Sequence, residues 1–380
     1  MIVGGGAAGD AAAAGLRAAG FSGPILLLAA EPHLPYQRPP LSKEYLTGRA
    51  GAAVLPLRPP EQYRELQVEV RTGARAAELD SDRRLVRLDS GERLAYDRLL
   101  LATGARPRRL LGLEDALHLR EVDDADRLRA ALLGSERLQV VGAGFIGCEV
   151  AAAARTLDRE VSVYESLAQP LLRVLGPELG GWLASVHRGR GVEIHLGVER
   201  LPPLPAPVLV AAGSVPETAL AERAGLAVEG GILVDELGRT SAPGVYAAGD
   251  AASFWSPSLE ARVRVEHFQT AQRHGFGTGR SMAGVEAPFT EIPWFWSDQY
   301  DLNLQYAGAG LAWDETVLRG RFGEPPFSVF YLAGGRLRGA AGVGDGHTIS
   351  RVRRLLERRV PVSRSQLEDP AVDLRRLGPS

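Results

Sequence analysis

The chain opens on a short apolar stub, Met1 to Val3, followed by a glycine-rich turn and an alanine-rich stretch. Apolar positions recur at helical spacing from Ala7 to Ala19, so this stretch is predicted as a helix. Next comes Pro24-Ile-Leu-Leu-Leu-Ala-Ala, a strand-like run ending at Glu31. The same order of elements recurs further along. Leu138-Gln-Val-Val leads into Gly142-Ala-Gly144-Phe-Ile-Gly147, a helical stretch, and a second strand, Val161-Ser-Val-Tyr, ending at Glu165. Two more apolar strands, Leu99 to Leu101 and Gly244 to Ala248, each end in a small-residue turn. Near the C-terminus, Phe327 to Leu332, then Ala-Gly-Gly, then Arg336 to Val343 reads as a hairpin, with a basic amphipathic helix expected over His347 to Arg359.

The glycines explain why the pattern repeats. Gly4, Gly6 and Gly9 fit G-x-G-x-x-G, as do Gly142, Gly144 and Gly147. The first glycine makes the tight turn, and the second lets a pyrophosphate approach the backbone. The third lets helix and strand pack, and the helix N-terminus faces the anion. Glu31 and Glu165 each stand about twenty residues on, where a carboxylate can hold a ribose hydroxyl. One such motif is weak evidence. Two, each flanked by strands and each followed by an acid, predict two dinucleotide sites and a reaction in which one nucleotide reduces the other. Glu165 favours NAD over NADP, because a carboxylate repels a 2′-phosphate. Ser166 to Gln169 supply no arginine to offset it, although Arg173 lies further along.

Composition narrows the class. With 45% hydrophobic and 24% charged residues and a net charge of −2, the chain reads as a globular protein with no nucleic-acid or membrane signature. The run Ile25 to Ala30 is too short to span a bilayer, and no signal-peptide pattern opens the chain, so a cytoplasmic location is expected. Cys148 is the sole cysteine, which excludes an intramolecular disulfide and a cysteine-built iron–sulfur cluster within the chain. It reads as a small core residue. The seven histidines show no metal-ligand spacing, so no metal site is expected. All 44 basic residues are arginine except Lys43. Lysine is a compact, titratable charge, so its survival marks Lys43 as a candidate for a position where guanidinium will not serve.

Six segments carry a resemblance. They are Pro35-Tyr-Gln-Arg-Pro-Pro-Leu-Ser-Lys-Glu-Tyr-Leu46, the two fingerprints, Ala102-Thr-Gly, Tyr246-Ala-Ala-Gly-Asp, and Pro293-Trp-Phe-Trp-Ser-Asp-Gln-Tyr-Asp301. Together they resemble the FAD-dependent NADH–ferredoxin reductases that serve cytochromes P450 and aromatic-ring dioxygenases, over almost the whole chain. The resemblance implies an α/β fold of two Rossmann-like, glutathione-reductase-like domains plus a C-terminal α+β domain. An FAD domain at 1–108 and 230–286 would be interrupted by an NAD domain at 109–229 and closed by an interface domain at 287–380. It also implies hydride transfer from NADH to FAD, then single electrons to a small, acidic [2Fe–2S] ferredoxin. Other acceptors of the same superfamily (rubredoxin, quinone, oxygen) remain open, as does an apoptosis-inducing-factor-like role in partner binding. Monomer and homodimer are both open too.

The resemblance assigns residues as well. Lys43 would lie beside the flavin and pair with Glu149, for which a helix first-turn acid is the alternative. Trp296 would sit near the ring where the acceptor docks, or be plain core packing. FAD contacts would come from Gly4, Gly6, Gly9, Glu31, Arg38, Pro39, Ala102, Thr103, Gly104 and Gly249. Asp250, ahead of an expected helix, would join them with Glu266, His267 and Phe268, where the family usually has Trp at the last position. Arg38 could equally be a surface ion pair, and Asp250 an ordinary N-cap. NAD contacts would come from Gly142, Gly144, Phe145, Ile146, Gly147, Glu165 and Gly213. Ser42 stands where the superfamily's disulfide reductases carry a redox cysteine, which argues against thiol chemistry. The arginines of the C-terminal helix read as a solvated face. The first strand is shorter than the family's, which suggests a late start, and the proline-rich Glu199 to Pro207 is shorter than the relatives' β-element.

Overall fold

The computed structural model describes residues 1–377, so the last three residues of the expected 287–380 segment, Gly378, Pro379 and Ser380, lie outside it. The two fingerprints build two parallel sheets. The first runs in the order Val245–Ala247, Leu99–Leu101, Ile2–Val3, Ile25–Leu28, Val68–Arg71, all parallel. Its central strands are apolar at every position because elements cover both faces. Ile2, Leu99, Leu100 and Leu101 are fully buried. The stub is only two residues long, yet it pairs on both sides, with Leu27 and Leu28 and with Leu100 and Leu101. The helix after it is Ala7–Ala18, one residue short of the expected end.

The second sheet runs Val192–His195, Glu160–Tyr164, Arg137–Val141, Val208–Val210, again all parallel. Its fingerprint helix is Phe145–Thr156. The two units are joined by an antiparallel pair, Ala105–Pro107 with Ser214–Pro216, so the chain leaves and re-enters the first unit side by side. A third, antiparallel sheet has the order Trp294–Gln299, Leu302–Gly308, Arg336–Val343, Glu324–Ala333, Glu315–Arg321. Its hairpin is the expected one, and the helix packed on it is Gly346–Glu357.

The stretch after Asp250 differs from expectation. No helix starts there. Gly249–Ala251 make a single 3₁₀ turn, and Ala252–Ser256 then form a strand between Ile232–Val234 and Ala261–Val263. Ser-Phe-Trp-Ser suits a pleated, half-buried surface better than a helix, and pairing on both sides decides the outcome. Among the described residues no helix is long and apolar enough to cross a membrane.

Candidate active site

A cavity of about 490 Å³ opens over the C-terminal ends of the first sheet's strands, where open α/β sheets bind ligands. Its walls come from four segments distant in sequence: the first fingerprint loop, the Arg38–Lys43 segment, Ala102–Arg106, and the Glu266–Gln269 start of a helix. The C-terminal sheet closes it with Phe295 and Trp296, and the second fingerprint's helix contributes Phe145, Ile146 and Glu149.

Both fingerprints have the geometry the motif requires. Gly4 is at φ +125°, and a Cβ there would lie 2.0 Å from the Ala102 carbonyl oxygen. Gly142 is at φ +104°, and a Cβ would lie 2.5 Å from the Ala211 oxygen. At Gly9 and Gly147 a Cβ would meet the carbonyl of the same motif's first glycine, at 2.0 Å in each case. At Gly6, by contrast, nothing lies within 4 Å, so the middle of the first loop faces open space. A pyrophosphate has room there, against the N-terminus of Ala7–Ala18.

Lys43 follows a 3₁₀ turn, Pro39–Ser42, whose prolines preset the backbone. Its Nζ donates to Glu149 Oε2 at 2.6 Å and to the Pro39 carbonyl at 3.2 Å. Both partners are shielded, with side-chain exposures of 14% and 6%. Glu149 accepts two further bonds, from Ser42 Oγ and from Ser297 Oγ, the latter at 2.6 Å. It lies beyond the first turn of Phe145–Thr156, which contains no acid, so the first-turn dipole does not account for it. Removing one partner of a buried pair costs about 3–5 kcal/mol, because the other charge is left uncompensated.

The other acids of the cavity are also held in place. Glu31 accepts from Arg38 Nη2 at 2.7 Å and from the Tyr36 hydroxyl. Arg38 also donates to the Arg120 carbonyl, so it is a part-buried tie across the cavity wall rather than a surface pair. Asp250 accepts from Arg120 Nη2 at 2.7 Å. Pro39, Ala102 and Gly104 line the cavity, whereas the Thr103 hydroxyl is committed to the Glu217 carbonyl at 2.6 Å. Gly9 and Gly249 sit behind the wall; a Cβ on Gly249 would come within 2.8 Å of Ala8.

The Glu266, His267 and Phe268 segment enters the helix Phe268–Met282 with His267 as its cap residue. Burial pulls the His267 imidazole down to about 4, opposed by Asp250, so the ring is neutral at pH 7. Its Nδ1 is buried without a hydrogen-bond partner among the described residues, a polar atom left for a ligand in the cavity it lines. Phe295 packs among the cavity aromatics, edge-on to Phe145 at 4.4 Å between ring centroids and tilted against His267 at 4.2 Å. Trp294 and Trp296, 5.9 Å apart, are separated by geometry: Trp296 lines the cavity, and Trp294 lies under the Arg353 guanidinium.

The remaining second-unit candidates, Gly142, Gly144, Gly147, Glu165 and Gly213, lie outside this cavity. Glu165 accepts from the amides of Ala143, at 2.7 Å, and Leu167, at 2.8 Å. Gly213, at φ +87°, joins the strand Val208–Val210 to Ser214–Pro216. Cys148 is buried and burial pushes its thiol up, so it is not a reactive thiolate. Sequence reasoning missed Tyr36, Arg120 and Ser297. Tyr36 and Ser297 lay unremarked inside the quoted motifs, and Arg120 had no signal at all.

The chain matches the pyridine nucleotide-disulphide oxidoreductase family over residues 1–200 and 206–275, and a reductase C-terminal domain over 294–378. It is 35% identical to putidaredoxin reductase of Pseudomonas putida, over 99% of this chain and 96% of that protein. It is 37% identical to the ferredoxin–NAD(+) reductase component of an anthranilate 1,2-dioxygenase system of Burkholderia cepacia, over 99% and 98%. The reductase in the covalent putidaredoxin reductase–putidaredoxin complex superposes with a TM-score of 0.93 at 35% identity, over 98% of this chain and 96% of that one.

Proposed function

This chain belongs to the pyridine nucleotide-disulphide oxidoreductase family, and we propose that it is an FAD-dependent NADH–ferredoxin reductase delivering single electrons to a [2Fe–2S] ferredoxin of a P450 or ring-hydroxylating oxygenase system. One observation carries the reading: a shielded Lys43–Glu149 ion pair stands in the same cavity as a glycine cradle shaped for a dinucleotide. Despite the family's name, a redox disulfide within the chain is ruled out, because Cys148 is the sole cysteine.

When bound, FAD supplies the conversion between a two-electron donor and a one-electron acceptor. The chain's own residues bind and orient it. The amides of Gly4 to Ala7 hold the pyrophosphate, and Glu31, kept in place by Arg38 and Tyr36, takes the ribose. Asp250, steadied by Arg120, takes the ribityl chain. Lys43 sets a positive charge beside the isoalloxazine, and Glu149 keeps it there. The amides at the start of Phe268–Met282 would supply positive charge to the pyrimidine edge of the ring. Gly142, Gly144 and Gly147 would hold NADH, with Glu165 for its ribose. Trp296 marks the side from which the ferredoxin approaches.

The same reading divides the chain into an FAD domain (1–108 and 230–286), an NAD domain (109–229) and an interface domain (287–380), and places the protein in the cytoplasm. The test is stopped-flow mixing of the yellow holoprotein with NADH, then steady-state cytochrome c reduction with and without added ferredoxin. Bleaching by NADH and ferredoxin-dependent turnover are expected; a protein whose flavin NADH leaves oxidised ends the proposal.

A further inference from the structure

A buried chain of hydrogen bonds leads from Glu149 away from the cavity. Ser297 Oγ donates to Glu149 Oε1 at 2.6 Å, and Gln299 Nε2 donates to Ser297 Oγ at 3.0 Å. Gln299 Oε1 lies 2.9 Å from His187 Nε2, and the Tyr300 hydroxyl lies 2.9 Å from His187 Nδ1. Ser297, Gln299 and His187 are 0%, 2% and 1% exposed. The chain ties the strand Trp294–Gln299 of the C-terminal sheet to two helices of the second unit, Phe145–Thr156 and Leu172–Gly189. Tyr300 holds φ +58°, a strained conformation for a bulky residue, so the turn keeps this side chain where a glycine would fit more easily.

Proton counting gives the chain one direction. An ionised Glu149 only accepts. Ser297 has one proton and spends it on Glu149, so it must accept from the Gln299 amide nitrogen. That turns the Gln299 oxygen toward His187, which must then carry its proton on Nε2. Nδ1 is left to accept from Tyr300. An amide in the middle conducts protons poorly, so the chain passes on orientation rather than charge.

We propose that Ser297, Gln299 and His187 are positioning residues for the Lys43–Glu149 pair: they hold one oxygen of Glu149 so that the other meets Lys43. The inference rests on the reading of that pair as part of the NADH–flavin reaction. The groups facing Glu149 are Lys43 and Ser42 from the Pro39–Lys43 segment and Ser297 from the C-terminal sheet, with Cys148 beside it on its own helix. Those facing His187 are Gln299 and Tyr300, and Arg155 and Arg190 act on Tyr300. Burial pulls His187 below its ordinary value, which keeps the neutral form the chain needs. The cavity of about 10 Å³ beside Ser297 is walled mostly by apolar side chains, among them Leu175, Leu179 and Leu304.

The test uses the holoenzyme. In Ser297→Ala, Glu149 loses the donor that holds its Oε1. Flavin reduction by NADH should then slow about tenfold at pH 7, with half-saturation by NADH unchanged. His187→Leu should reproduce that split, while His187→Gln, whose amide can donate from near the Nε2 position, should restore the rate. A second readout does not depend on turnover: ¹⁵N-histidine NMR should show His187 as the neutral Nε2–H tautomer at pH 7, with or without nucleotide, its resonance identified by loss in His187→Gln. A Nδ1–H or protonated ring overturns the inference, as does unslowed flavin reduction in folded, yellow Ser297→Ala and His187→Leu. If Lys43→Ala reduces as fast as the unmodified protein, the functional reading of the pair fails and the inference falls with it. If Lys43→Ala is slow and Ser297→Ala is not, the inference alone fails.

Discussion

The two fingerprints share a motif and a backbone but not a surrounding. In each, the first glycine is left-handed beside a carbonyl from another strand, and the third packs on the first. Above the first loop stand the wall at Ala102–Arg106, the helix start at His267 and the closing aromatics, and together they make the 490 Å³ cavity. The second loop lies outside that cavity, and only its helix reaches the wall. Their terminal acids differ in the same way. Glu31 is held by the side chains of Arg38 and Tyr36, whereas Glu165 is held chiefly by backbone amides. The motif therefore specifies a phosphate turn, and the elements packed over it decide how much more of a ligand is enclosed.

Swapping one atom in each loop tests this most severely. Gly4→Ala puts a Cβ 2.0 Å from a carbonyl oxygen at an unfavourable φ, and should cost more than about 4 kcal/mol and abolish flavin content, read by absorbance and thermal melting. Gly142→Ala should keep the yellow colour and lose NADH-driven bleaching instead. Colourless Gly142→Ala protein would mean that the loops are not divided between two ligands.

Acid should probe the first region next. His267 and His274, on the helix packed against the first unit, are both pulled down to about 4 by burial. The unfolded chain binds protons at these sites from about 6.5 downward, and the folded protein does not until about 4. Stability contributed there is present above pH 6.5 and lost as pH falls toward 4, by up to about 3 kcal/mol per histidine. Melting temperature and flavin retention measured from pH 7 to pH 4 should fall together; a flat profile contradicts the burial of these rings.

The pair that bridges the regions comes third. Lys43→Ala should slow flavin reduction about a hundredfold while weakening FAD binding by much less, since the cradle is intact. Equal losses in both, measured by stopped flow and flavin titration, would make Lys43 a binding residue only. The smallest effect belongs to the second acid. Glu165→Gln removes the charge that repels a 2′-phosphate and should shift the NADH-over-NADPH ratio of kcat/KM about tenfold toward NADPH.

Several features could be read directly from the chain. A G-x-G-x-x-G turn is a local object: its φ angles and close approaches involve residues within a βαβ unit, so the sequence specifies both nucleotide loops, their strands and their helices by itself. The single lysine was visible against 43 arginines for a similar reason, since composition needs no coordinates. Local pattern failed after Asp250, where pairing with a strand on either side made a sheet of the expected helix. It also could not find Arg120 as the partner of Asp250, 130 residues away, or Ser297 as a donor to Glu149, 148 away. Nothing local links such residues. They meet because segments of both units and the C-terminal sheet converge on one cavity, and a buried carboxylate there is tolerable only when donors reach it.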